Sequence, residues 1–202
     1  LDKNKYNVIE VGITHQGEWV IGENLVEKLQ DGNASDLEHV FILPEPNNPV
    51  IYQRDRLTNH TKVFSQIDVV FPVLHGSYGE DGTLQGLLEM ADVAYVGAGV
   101  LGSSVGMDKS LFKDVMKAHG IPVVESITCT RAQIHADLEQ IIHGAENLLP
   151  YPLFVKPANL GSSVGISKCK NRSDLMEGIL DAARYDRRIL IEKGINAREI
   201  EV

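Results

Sequence analysis

Short apolar runs of strand length alternate along this chain with segments whose apolar residues recur at helical spacing, and that alternation confines the fold to the α/β class. The strand-like runs lie at residues 8–13, 40–43, 69–74, 94–96, 123–129, 153–156, 164–169 and 189–192. Asp81 is placed to cap a helix that carries Leu84, Leu87, Leu88 and Ala91 on one stripe. Residues 109–119 put Leu111, Phe112, Val115 and Met116 on one face and stop at Gly120, with Pro122 beyond. Thr130 is placed to cap a helix over 131–143, and Ser173 one over 174–185.

Other stretches mark organisation. Pro44-Glu45-Pro46-Asn47-Asn48-Pro49 and the polar residues 53–62 read as a surface excursion that carries no core. A domain boundary falls between about residues 100 and 123, where Gly and Ser cluster and a helix is closed by Gly120 and Pro122. One pentapeptide occurs twice, Gly102-Ser103-Ser104-Val105-Gly106 and Gly161-Ser162-Ser163-Val164-Gly165. The first leads into a helix and the second joins two strands, so the identity reads as coincidence, not duplication.

Composition narrows the class of partner. The chain has 202 residues, 43% hydrophobic and 23% charged, as ordinary globular chains do. It has no apolar run of about eighteen residues, hence no membrane-spanning helix is expected. Nineteen Lys and Arg against 28 Asp and Glu give a net charge of -9, which argues against a chain that wraps nucleic acid. Any polyanion must be held by a few placed lysines and backbone amides. Two cysteines are too few for a disulfide scaffold and point to a reducing cytoplasmic compartment. The chain opens on polar residues without an initiator Met and stops within Arg198-Glu199-Ile200-Glu201-Val202, which reads as part of a strand. The expectation is a portion of a longer polypeptide.

Four segments carry candidate chemistry. Phe154-Val155-Lys156-Pro157 is a strand ending in a lysine, and five residues past Lys156 comes the Gly/Ser loop that begins at Gly161. Glycines let backbone N–H groups converge on phosphate oxygens. The lysine precedes the glycines, so this is not a Walker loop. Taken alone the loop reads equally as an ordinary hairpin turn, and the strand-end lysine moves it toward a nucleotide. The apolar strand 189–191 runs into Glu192 and Lys193, with Ile195 and then Glu199 beyond. Carboxylates there suit ribose hydroxyls and backbone groups suit an adenine edge, although a solvated strand end is the favoured reading of this segment alone. His75-Gly76-Ser77-Tyr78-Gly79-Glu80-Asp81-Gly82 follows an apolar strand, where ligands collect in open α/β sheets. His75 is placed to polarise a carbonyl or phosphoryl oxygen, Asp81 to cap, and no second ligand cluster has zinc-type spacing. Lys109 opens a helix, an unfavourable place for a cation unless it serves an anion; a solvated surface lysine is an equal reading.

In combination these segments resemble the D-alanine–D-alanine ligase family. The family's first signature reads His-Gly, two variable residues, then Gly-Glu-Asp-Gly, and residues 75–82 match it. Met107-Asp108-Lys109, Val155-Lys156-Pro157, the 161–165 pentapeptide, and Glu192-Lys193 with Glu199 follow in the family's order and spacing. The resemblance covers nearly the whole chain and is weakest over 22–65. It implies an ATP-grasp ligase: an N-terminal open α/β substrate-side domain at 1–105 and a central α+β ATP-lid domain at 106–202, with the C-terminal domain largely outside this stretch. It implies that Lys109 and Lys156 hold the ATP phosphates under a hairpin formed by Gly161, Ser162, Ser163 and Val164. Glu192, Lys193 and Ile195 then correspond to the strand that receives adenine, and Glu199 to the ribose-binding carboxylate. Ser162 and His75 correspond to the residues that organise the D-alanine site and act in catalysis. The implied activity is ATP-dependent joining of two D-alanines for peptidoglycan precursors. D-alanine–D-lactate or D-alanine–D-serine ligation, and a non-catalytic nucleotide-binding fragment, remain the alternatives. Magnesium is the implied metal, with its ligands outside this stretch, so the stretch by itself is expected to be inactive. A homodimer is implied as well.

Overall fold

The computed structural model describes residues 2, 4–161, 163–198 and 200 of the chain. They form two units, one made of residues 1–71 and 86–96 and the other of 72–85 and 97–202.

The first unit is built on a five-stranded sheet in the order β1 (Gly12–Ile13), β2 (Trp19–Ile21), β3 (Glu38–Ile42), β4 (Val50–Arg54), β5 (Thr61–Gln66). Every pairing in it is antiparallel. Val20, Leu37 and Leu25 of the short helix α1 (Leu25–Gln30) form one buried cluster, and Val40, Ile42, Val50 and Ile51 are buried along β3 and β4. The polar residues 53–62 are therefore not an excursion but the turn and flanks of a hairpin. Asp55 makes that turn: its carboxylate accepts the N–H groups of Leu57 at 2.9 Å and Thr58 at 2.7 Å, and Asn59 takes a left-handed conformation. The polar pattern of β5 suits a sheet edge, where one side of the strand stays in water. Several of the expected strands shorten: 164–169 becomes Ser167–Cys169, and 94–96 keeps only a bridge at Tyr95. Within 8–13 only Gly12 and Ile13 pair, and of 69–74 only Val70 pairs, in a parallel bridge to Tyr95. The chain passes between the two units after residues 71, 85 and 96, the second time within α2 (Thr83–Met90).

The second unit holds the helices α3 (Val100–Met107) and α4 (Lys109–Ala118) and a four-stranded antiparallel sheet. Its strands are β6 (Ser126–Thr130), β7 (Leu153–Pro157), β8 (Ser167–Cys169) and β9 (Arg188–Lys193), in the order β6-β9-β7-β8. One face of this sheet packs on α5 (Arg131–Ala136), α6 (Leu138–Leu148) and α7 (Arg172–Tyr185). Leu153, Val155, Ile189 and Ile191 meet Ile142, Leu175 and Ile179 there with essentially no exposure. The helix expected over 131–143 is two helices. Thr130 caps the first in a capping box with Gln133, but Asp137 leaves helical geometry and caps a second by accepting the Gln140 N–H. The cap of α7 is Asn171, two residues before the expected Ser173, accepting the Asp174 N–H. Cys129 and Cys169 are free and buried, and burial pushes each thiol up to about 11. No helix among the described residues is long and apolar enough to cross a membrane.

Candidate functional site

The face of the second sheet turned away from α5–α7 carries the polar residues. Side chains alternate along strands, so the cross-strand pairs Ser126↔Glu192, Phe154↔Glu192, Lys156↔Leu190 and Phe154↔Lys168 place these residues on one side. Helix α4 lies over this side. The Ser110 and Thr128 hydroxyl oxygens are 2.7 Å apart, and Arg188 donates to Ser110 Oγ at 3.0 Å.

Asp108 anchors that helix with both of its oxygens. Oδ1 accepts the N–H groups of Ser110 and Leu111, the helix cap, while Oδ2 pairs with Arg188 Nη1 at 2.7 Å. The Lys109 N–H in turn donates to the Ala158 carbonyl at 2.9 Å. The start of α4, the start of β9 and the end of β7 are thus tied together, and the tie fixes where Lys109 emerges. The apolar stripe expected on α4 is only partly covered, since Leu111 and Phe112 remain 39% and 42% exposed.

At the centre stands Glu192. Its Oε1 accepts from Lys156 Nζ at 2.6 Å and its Oε2 faces Lys113 Nζ at 2.8 Å. Lys109 Nζ donates to the Leu160 carbonyl and feels the charges of both Lys156 and Glu192. Burial, followed by repulsion from Lys156, lowers the Lys109 ammonium from its ordinary range. Burial alone would raise the Glu192 carboxyl; hydrogen bonds and attraction from Lys113 and Lys156 outweigh it and hold the group below its ordinary value of 4.5. A carboxyl depressed by folding stabilises the fold fully above its unfolded pKa and stops doing so as pH falls through the lowered folded value. Stability of the second unit is therefore expected to decline on acidification below about 4.5, and Glu192→Gln to flatten that part of the profile, as read from urea midpoints at each pH.

The expected Gly-rich hairpin joins β7 to β8. Val164 N–H turns back to the Gly161 carbonyl and Ile166 N–H to that of Ser163, which has φ 59°. Gly165 has φ +68°, and a Cβ there would lie 2.8 Å from Pro157 and from Tyr185, so a side chain is excluded. Ser162 and Glu199 lie outside the described residues.

The His75 segment folds on itself through its acidic residues. Glu80 accepts the Gly76 N–H at 2.6 Å, while Asp81 accepts those of Tyr78 at 2.9 Å and Thr83 at 3.0 Å. Burial opposes the Asp81 charge, but these N–H groups outweigh it and lower its pKa. Gln85 Nε2 donates to the Gly79 carbonyl. Glu80 and Asp81 of the signature, with Gln85 beyond it, thus shape a turn that leaves His75 exposed, and Ser77 Oγ reaches the Asn159 carbonyl of the β7–β8 connection at 3.4 Å.

Of the expected site residues, Lys109, Lys156 and Glu192 come together beside the connection containing Gly161, Ser163 and Val164. Lys193 does not join them: strand alternation turns it to the opposite side, where it pairs with Glu125 at 3.1 Å. Ile195 is exposed past the strand end. Sequence reasoning missed Lys113, although its spacing of four from Lys109 puts both on one helical face. It also missed Phe154, two residues from Lys156, whose ring has the ammoniums of Lys156 and Lys168 at 5.8 and 5.7 Å from its centroid. Asp108 lies in the Met107-Asp108-Lys109 motif, but its pairing with Arg188 carried no sequence signal, because it spans 80 residues.

Two family descriptions match the chain: "D-ala D-ala ligase N-terminus" over residues 1–98 and "D-ala D-ala ligase C-terminus" over 115–202. The chain is 45% identical over 203 residues to the D-alanine–D-alanine ligase of Natranaerobius thermophilus, and 45% identical over 202 to that of Heliobacterium modesticaldum. In both comparisons all of this chain aligns with 54% of the relative, so the chain spans about half the length of the curated relatives it matches. Among solved structures, the VanG D-Ala:D-Ser ligase of Enterococcus faecalis superposes with a TM-score of 0.80 at 34% identity, covering 97% of this chain and 55% of that one. The D-alanine–D-alanine ligase of Coxiella burnetii gives 0.77 at 32%, covering 96% and 54%. The fold is the α/β fold of ATP-grasp ligases. Matched in both of its parts by descriptions of one family, and along its whole length by relatives bearing that family's name, the chain belongs to the D-alanine–D-alanine ligase family.

Proposed function

We propose that this chain carries the nucleotide-binding part of an enzyme that joins two D-alanines at the expense of ATP, in the supply of peptidoglycan precursors. The observation that carries the reading is the meeting of Lys109, Lys156 and Glu192 on the α4 side of the second sheet, beside the β7–β8 connection. Two ammonium groups in one partly buried site suit a triphosphate, and the glycines of the connection suit backbone N–H contacts to its oxygens. Its residues Gly161, Ser162, Ser163 and Val164 line the phosphates in this reading. Backbone groups of Glu192, Lys193 and Ile195 frame adenine, and Glu199 takes the ribose. His75 and Ser162 serve the first D-alanine.

In the reaction, a carboxylate oxygen of the first D-alanine attacks the γ-phosphorus and ADP leaves. The amine of the second attacks the resulting acylphosphate at its carbonyl carbon. The tetrahedral adduct expels phosphate, and the nitrogen gives up a proton. Phosphorylation is needed because a carboxylate is a poor electrophile. The protein's part is charge neutralisation and alignment. Magnesium supplies further neutralisation of the phosphates in this chemistry. Among the described residues no group of three or more His, Cys, Asp or Glu side chains converges to hold a metal, and no step is assigned to these residues through it. A homodimer in the bacterial cytoplasm, without nucleic-acid or membrane partners, completes the reading.

The likeness to a D-Ala:D-Ser ligase favours a second reading in which the acceptor is D-serine, with D-lactate as the remaining acceptor of this kind. Phosphate release by the intact protein, with D-alanine, D-serine and D-lactate offered in competition, decides between them. D-alanine is the expected acceptor. Dipeptide formation with D-serine in preference transfers the assignment to the second reading, and no ATP-dependent phosphate release with any of the three overturns both.

A further inference from the structure

We propose that Lys113 is a positioning residue of the nucleotide site, acting through Glu192 to leave the charge of Lys156 available to an anion. The inference rests on the ATP reading above. Lys113 sits one helical turn past Lys109 on α4, and its side chain is only 13% exposed. A buried ammonium needs partners, and Lys113 has two: Glu192 Oε2 at 2.8 Å and the Val124 carbonyl at 3.0 Å. The two oxygens of Glu192 are thereby divided, Oε2 to Lys113 and Oε1 to Lys156.

The division matters because Lys156 is already engaged at 2.6 Å. A carboxylate facing a single lysine would concentrate its charge there and compete directly with a phosphate for that ammonium. A second cation on its far oxygen weakens the competition and holds the side-chain rotamer. Lys113 itself turns toward Glu192 and Val124, whereas Lys109 turns toward Leu160. It therefore acts on the anion through Glu192 and Lys156.

Titration of the intact protein with ATP and, separately, with adenosine tests this. Lys113→Met keeps the apolar stem and is expected to bind ATP about tenfold more weakly while adenosine affinity stays within about twofold, since only the charged ligand senses the lost cation. Lys113→Arg is expected to restore most of the ATP affinity. Unchanged ATP affinity in Lys113→Met overturns the proposal, and so does an equal loss for ATP and adenosine, which would mark a merely structural tie. If Lys113→Met fails to fold by circular dichroism, Lys113→Gln keeps the donors without the charge and must show the same selective loss; ATP binding retained there overturns the proposal too. Lys156→Ala, titrated alongside, separates the two levels. Loss in that variant with none in Lys113→Met removes only the role of Lys113, and no loss in either removes the nucleotide reading itself.

Discussion

Lys156→Ala is expected to weaken ATP binding about ten- to a hundredfold, the loss of roughly 1.5–3 kcal/mol that a charge-assisted hydrogen bond contributes. The alanine leaves Glu192 with Lys113 as its one remaining close ammonium, so a negative carboxylate faces the approaching phosphates with less neutralisation. Both changes push in the same direction. Calorimetric titration of the intact protein measures it, with Lys117→Ala, a change on the exposed side of α4, as the control for altered net charge. Equal affinity for ATP in the Lys156 variant and the control would remove Lys156 from the phosphate site.

Gly82→Ala is expected to destabilise the fold by about 2–4 kcal/mol, the sum of a left-handed backbone penalty and an overpacked contact. Gly82 has φ +93°, and a Cβ built on it stands 2.4 Å from Ser104 Oγ and 2.8 Å from the Val100 carbonyl oxygen. Ser104 Oγ cannot retreat freely, because it donates to the Asp81 carbonyl at 2.8 Å. Gly161→Ala provides the contrast: a Cβ there meets nothing within 4 Å, and the change is expected to cost less than about 0.5 kcal/mol. Urea unfolding followed by circular dichroism compares the two. Equal midpoints would mean that the turn at Gly82 relaxes without loss. The same contact explains why the family signature ends in glycine: the turn bearing His75 is pressed against α3, and only a residue without a side chain fits between them.

How much of this was legible in advance differs from element to element. The strand ending in Lys156 and the helix opening at Lys109 were readable because local pattern decides both, an apolar run in one and a capped helical period in the other. The hairpin of β4 and β5 was not, because its middle is polar and its pairing depends on an Asp55 side chain folding back on its own turn. The break at Asp137 escaped for a similar reason. A helical stripe continues through it on paper, while the aspartate caps better than it continues a helix. For the repeated pentapeptide, flanking sequence separates the two copies, but the first reads as a turn leading into a helix whereas it is itself helical. The first lies within α3 and residues 161 and 163–165 of the second in the β7–β8 connection, so identical residues adopt different backbones according to what flanks them.

From residues and spacing alone came the α/β class, the family likeness and the candidate cations, since each depends on local periodicity or on a motif contiguous in the chain. Tertiary structure alone decided which of those cations share a carboxylate, that Lys113 belongs with them and Lys193 does not, and that Asp108 and Arg188 hold the helix bearing Lys109. Electrostatic partnership depends on distance in space, and a sequence written in one dimension carries that distance only where strand register or helical turn happens to preserve it.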